Sequence, residues 1–168
     1  VMDLCGPKVR TDTKSYALKV GETWSLVPTE GDAAQFKIGI SHPTLYQLVP
    51  AGQAIVLDDG HLELQVIKVE GTEIVCSVVT GGHLKPRKSV NTPECDNGLD
   101  VLSEKDQRDL IFGRDQGLDW VAVSFVRNGA DIKRVREYLA EIGWPDAPII
   151  SKVETPLAVS YLEEIVRL

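Results

Sequence analysis

Trp120-Val121-Ala122-Val123-Ser124-Phe125 and Pro148-Ile149-Ile150-Ser151-Lys152-Val153 decide the fold class. Each is a nearly continuous apolar run, the pattern of a parallel strand covered on both faces. Between them Ile132, Val135, Tyr138, Leu139 and Ile142 recur at three- and four-residue intervals, and Gly143 ends the pattern before Pro145. That spacing predicts a helix with one face on the sheet. After the second run, Thr155-Pro156 reads as an N-cap followed by proline at the first helical position, with Val159, Leu162 and Val166 expected to face inward. Upstream, Ser103 with Asp106 resembles a capping box, and Gly113 and Gly117 are expected to let that helix close. Alternating strands and helices are crossover grammar, whose right-handed connections put both strands in one parallel sheet. Val1 to Leu4 is a candidate third strand.

Between Tyr16 and Thr80 the pattern changes to alternation, as in Tyr16/Leu18/Val20, Leu62/Leu64/Val66 and Ile74/Cys76/Val78. This predicts a small antiparallel β domain with turns at Asp58-Asp59-Gly60 and Glu70-Gly71. The chain has 168 residues, whereas a complete (β/α)₈ barrel takes about 250, so any barrel here is incomplete. The expected fold is α/β: an incomplete TIM (β/α) barrel segment with an inserted small antiparallel β-barrel lid domain. Its divisions are a barrel strand over 1–11, the lid over 12–87, and a barrel segment over 88–168 made of a helix and two βα units.

Hydrophobic residues at 43% and charged residues at 26% describe a globular chain. A formal charge of −7 argues against nucleic acid or an anionic membrane as partner. Cys5, Cys76 and Cys95 are odd in number and widely spaced, which suits free thiols and a cytoplasmic location. No apolar run approaches membrane-spanning length, and the first residues do not read as a secretion signal.

In a parallel barrel, reactive side chains gather where strands end and loops begin. Lys152 and Glu154 stand two residues apart at such an end, which points both to one side. A carboxylate there suits Mg²⁺, and a lysine suits negative charge on a transferring group. The same pair also reads as a salt bridge that closes the strand.

Further stretches carry a family resemblance. Met2-Asp3-Leu4-Cys5-Gly6-Pro7-Lys8-Val9-Arg10-Thr11 resembles the aspartate strand of pyruvate kinases, and Ile150-Ser151-Lys152-Val153-Glu154 resembles their lysine and metal-glutamate strand. Leu57-Asp58-Asp59-Gly60 and Lys88-Ser89-Val90-Asn91 are similar to the lid and its return hinge. Leu102-Ser103-Glu104-Lys105-Asp106 and Val123-Ser124-Phe125-Val126-Arg127 extend the likeness into the next barrel unit.

The resemblance implies a phosphotransferase of glycolysis that moves a phosphoryl group from phosphoenolpyruvate to ADP, giving pyruvate and ATP. It assigns Lys152 to the transferring phosphoryl group as the catalytic lysine. Glu154 becomes a ligand of Mg²⁺ or Mn²⁺, and Asp3 a residue near the monovalent-cation site. Arg10 and Arg87 fall on nucleotide-contacting positions, Arg87 where a lysine is common; a solvated hinge charge explains Arg87 equally well. Asp58 either faces the nucleotide cleft or serves turn chemistry. Ser124 and Phe125 end their strand at the substrate rim, with core packing expected for Phe125. Lys8 stands where potassium-dependent members carry glutamate, so no potassium requirement is expected; Leu4 agrees with this, and Thr11 is less typical of the potassium-independent group. Thr155 and the Thr92 to Asp100 linker depart from the usual family wording, which leaves room for a paralogue. Two rival readings are an inactive fragment needing the remainder of a parent chain, and a metal-dependent lyase or aldolase acting on pyruvate-like acids. A complete member is expected to be a homo-oligomer, a tetramer.

Overall fold

The computed structural model describes residues 1–93, 95–96 and 98–168. The first strands are β1 (Met2–Asp3), β2 (Tyr16–Leu18), β3 (Thr23–Val27), β4 (Lys37–Gly39) and β5 (Ala54–Leu57). They are followed by β6 (Leu62–Glu70), β7 (Glu73–Thr80), β8 (Gly82–Leu84) and β9 (Val90–Asn91). The remainder is α1 (Glu104–Asp115), β10 (Val121–Val123), α2 (Gly129–Glu141), β11 (Ile149–Ser151), α3 (Pro156–Ser160) and α4 (Leu162–Val166). The chain is thus mixed α/β, in two compact units: Val1–Pro7 with Leu99–Leu168, and Lys8–Gly98.

In the α/β unit, β1, β10 and β11 form a parallel sheet in the order β1-β10-β11, with Met2 opposite Val121 and Val121 opposite Ile149. The segment at the chain start is therefore the third strand that its pattern suggests. Leu4, Leu110, Val121, Val123, Ile132, Val135 and Leu139 form the core with Ala158 and Ile165. Ser103 caps α1 in a complete capping box with Asp106, and Asn128 caps α2 through its side chain.

The structure departs from the sequence pattern at four points. Gly113 does not close α1; it lies inside the helix, where an added Cβ would sit 2.7 Å from Met2 Cε. Gly117, with φ of 67°, comes just after the helix as a left-handed residue. Among the described residues the second run is bonded to β10 alone, and Ile150 and Val153 are exposed rather than covered on both faces. The closing helix breaks at Tyr161 into α3 and α4, and this turns Ala158 and Ile165 inward while Val159, Leu162 and Val166 stay exposed. Finally, Phe125 is half-buried with a left-handed backbone, φ 57°, instead of a core side chain continuing the strand.

The second unit is built on a six-stranded sheet ordered β4-β3-β7-β6-β5-β9, with β2 and β8 paired beside it. Most pairs are antiparallel, but β3 and β4 run parallel. The expected alternation holds: Leu62, Leu64 and Val66 on β6 and Ile74, Cys76 and Val78 on β7 are all buried, whereas Val20 lies past the end of β2 and is exposed. Arg10 bridges to Ser89 near β9, and Thr11 bridges to Ile40 just after β4. Residues 10 and 11 therefore link the two margins of the sheet and curl it. These bridges, with β9 on β5, join residues 10–11 and 89–91 to this unit.

Asp12 anchors the curl from inside. Its carboxylate accepts from the Tyr16 hydroxyl at 2.6 Å and from the Gly31 and Lys14 amides at 2.8 and 3.0 Å. Burial alone would raise its pKa, but the bonds from Tyr16, Lys14, Gly31 and Gly39 hold it below the ordinary aspartate range. An added Cβ at Gly39 would come 2.6 Å from that carboxylate, so the contact needs the absence of a side chain.

Candidate functional site

Within the α/β unit, the sheet order places Asp3 and Lys152 on strands separated by β10. The Lys152 amide bonds the Val123 carbonyl at 3.0 Å, one residue past β11, so its side chain starts from an ordered strand end. Its ammonium reaches Asp3 Oδ1 at 2.8 Å and lies 3.7 Å from Glu154 Oε1. The lysine is therefore held chiefly by Asp3, with Glu154 on its other side. The Asp3 hydrogen bond is the main reason that the Lys152 pKa is raised; burial opposes it and Glu154 adds to it. The ammonium is charged throughout the neutral range.

Glu154 is placed by a neighbour that the apolar pattern did not reveal. Its Oε2 accepts from the Phe125 amide at 3.1 Å. Just before it, the buried Ser124 hydroxyl donates to the Leu4 carbonyl at 2.6 Å and ties the end of β10 to that of β1. Asp106, fully buried, accepts from the Cys5 amide at 2.9 Å, so one helix cap also holds the loop after β1. A capping box is legible in sequence, but its second task depends on which loop the fold lays beside it.

Asp3 and Glu154 offer hard carboxylate oxygens, the donor type that Mg²⁺ takes from a protein when substrate phosphates and water complete its shell. Among the described residues, no group of three or more His, Cys, Asp or Glu side chains could hold a metal alone. The two carboxylates are of the donor type that fits a hard divalent cation whose remaining positions are filled from outside the protein.

The Lys8–Gly98 unit gathers the other predicted residues. Arg10 Nη1 donates to the Arg87 carbonyl at 2.9 Å, and the Arg10 amide donates to Ser41 Oγ at 2.9 Å. Arg87 is exposed, with φ of 57°. Asp58 pairs with Lys88 at 2.7 Å, and the Lys88 ammonium holds the Asp58 carboxyl below its usual range. Lys8 is exposed in the same unit. The fold thus joins Asp3, Lys152 and Glu154 in one cluster and Arg10 with Arg87 in another. Lys88, the partner of Asp58, carries no distinguishing signal in the sequence, since nothing in the adjacent residues Arg87-Lys88-Ser89 indicates which of them reaches the turn.

Comparison with known proteins supplies the context for these clusters. Residues 1–168 match the family described as pyruvate kinase, barrel domain. The chain belongs to the pyruvate kinase family. It is 39% identical to a pyruvate kinase of Clostridium perfringens over 99% of this chain and 36% of that protein. It is 37% identical to pyruvate kinase 2 of Synechocystis over 98% of this chain and 29% of that protein. A pyruvate kinase of Mycobacterium tuberculosis is 36% identical over 98% of this chain and 35% of its own length. The chain therefore spans about a third of the pyruvate kinases it matches, and Asp3, Lys152 and Glu154 all fall within that third. Among the described residues no helix is long and apolar enough to cross a membrane.

Proposed function

We propose that this chain is a segment of a glycolytic pyruvate kinase that transfers the phosphoryl group of phosphoenolpyruvate to ADP. The observation that carries the reading is the Lys152 ammonium at the strand ends, bracketed by Asp3 and Glu154. Phosphoryl transfer asks a protein mainly for positioning and charge neutralisation. A lysine kept protonated by a carboxylate partner supplies a fixed positive charge to the phosphoryl oxygens, and exchanges Asp3 for substrate as it does so. Glu154, its second oxygen held by the Phe125 amide, is the residue that would hold Mg²⁺ or Mn²⁺, with Asp3 at the monovalent-cation position. When bound, the divalent cation neutralises charge on the transferring group.

In the same reading, Arg10, Arg87 and Asp58 meet the ADP or ATP phosphates, and the Lys8–Gly98 unit is a lid inserted in an incomplete TIM barrel. The Lys8 ammonium stands in for potassium. The complete protein is a cytoplasmic homo-oligomer, and the isolated chain, a third of its relatives' length, is inactive. The lyase reading finds no support in relatives that are named pyruvate kinases.

The test is pyruvate release by the full-length parent with phosphoenolpyruvate, ADP and Mg²⁺, with and without potassium. Activity is expected in both, falling roughly 10²- to 10³-fold in Lys152→Met. A folded, metal-loaded parent that releases no pyruvate overturns the reading, and a strict potassium requirement overturns the role given to Lys8.

A further inference from the structure

Asp58 and Asp59 both adopt left-handed backbone, with φ of 51° and 54°. Side-chain-bearing residues keep such conformations where their surroundings over-determine them. Here that surrounding group is Ser89. Its hydroxyl donates to Asp59 Oδ1 at 2.7 Å and accepts from the Asp59 amide at 2.9 Å, while its carbonyl accepts from the Asp58 amide at 3.1 Å. The one proton of this hydroxyl and one of its two lone pairs are thus spent on one turn residue.

Ser89 also pairs with Arg10 in the bridge that helps to curl the sheet, and its neighbour Lys88 holds the Asp58 carboxylate at 2.7 Å. The Lys88 amide donates to Thr11 Oγ1 and the Thr11 amide to the Lys88 carbonyl, so the segments at 10–11 and 87–89 are bonded along their length. One serine therefore joins three segments: the one carrying Arg10, the turn carrying Asp58, and the return carrying Arg87 and Lys88. None of these contacts involves the phosphoryl-transfer cluster, and an isolated Asp-Asp-Gly turn has no need of them.

We propose that Ser89 is a positioning residue for the nucleotide, clasping Asp59 so that Asp58, Lys88 and Arg10 are already placed when a nucleoside diphosphate binds. This inference rests on the nucleotide reading given above. A turn released from the clasp samples more backbone states, and ordering it again on binding reduces affinity without removing any group that touches the ligand.

The experiment is calorimetric titration of ADP with Mg²⁺ into the full-length parent, paired with initial rates for both substrates. Ser89→Ala is expected to weaken ADP binding about fivefold, the loss of one hydrogen bond, and to change the KM for phosphoenolpyruvate by less than about twofold. Ser89→Thr, which restores a hydroxyl, should recover ADP affinity. Asp59→Gly removes the accepting carboxylate while keeping the left-handed backbone easy, so it decides the matter if Ser89→Ala does not fold. The two changes combined should weaken ADP no more than either alone, because both break one clasp. Unchanged ADP affinity in a folded Ser89→Ala or Asp59→Gly protein, or equal losses for both substrates, overturns the clasp and leaves the nucleotide reading standing. A parent that binds no ADP overturns the nucleotide reading and the clasp with it.

Discussion

The two units use apolar sequence in different ways. In the Lys8–Gly98 unit the alternating residues of β6 and β7 are buried as their pattern suggests, because they share the covered face of the sheet, whereas Ile67, Val69 and Val79 on the same strands stay exposed. In the α/β unit the pattern is as strong, yet Ile150, Val153, Leu162 and Val166 remain exposed. The difference lies in what covers each face. Among the described residues β11 is bonded to β10 alone, and the helices that follow it bury Ala158 and Ile165. An apolar run states that a residue gains by leaving water; which neighbour removes it from water is a property of the surrounding fold.

That contrast can be tested by substitution. The largest effect is expected for Leu64→Ala, at a fully buried position between paired strands. It should destabilise the β unit by about 2–5 kcal/mol, read from urea unfolding followed by the fluorescence of the buried Trp24. A cost near zero would mean that the alternating face is not a packed core. Acid should produce a smaller loss in the same unit. The folded Asp12 pKa is depressed, so its contribution is complete above the ordinary value of 3.8 and is lost as pH falls through the depressed one. Asp12→Asn should lower stability at neutral pH and flatten the acid slope; a slope equal to that of the wild type would remove Asp12 from the account. The smallest effect is expected for Leu162→Ala, on the exposed side of α4, at within about 0.5 kcal/mol by urea unfolding followed by the fluorescence of Trp144, which packs on the core of that unit. A cost of about 2 kcal/mol or more would break the comparison, since it would show that this face is covered in solution.

The candidate site divides along a similar line. Lys152 and Glu154 were legible because a charged pair at the end of an apolar strand conflicts with burial, and their spacing puts them on one side. That Asp3 would be the closer partner of Lys152 was not legible, since the two are separated by nearly the whole chain and meet only across β10. Phe125 shows the same limit. Its apolar side chain suggested packing, but its contribution is an amide aimed at Glu154 from a left-handed backbone, which side-chain type does not encode. The Asp58-Asp59-Gly60 motif marks a turn, and the chain turns there; the clasp from Ser89 depends on a segment 30 residues later in the chain.

Sequence by itself determined the type of most elements, the helix caps at Ser103 and Thr155, the buried faces of β6 and β7, and membership of a family. Each depends on periodicity, on a short motif or on ordered similarity along the chain, and these are local or cumulative properties of the residues. Tertiary structure decided which carboxylate holds Lys152, which amide holds Glu154, which hydroxyl secures the Asp58 turn and which apolar faces remain uncovered. Those outcomes depend on distances between residues far apart in the chain, and a hydrogen bond or a buried contact exists only when the fold brings both groups within a few ångströms.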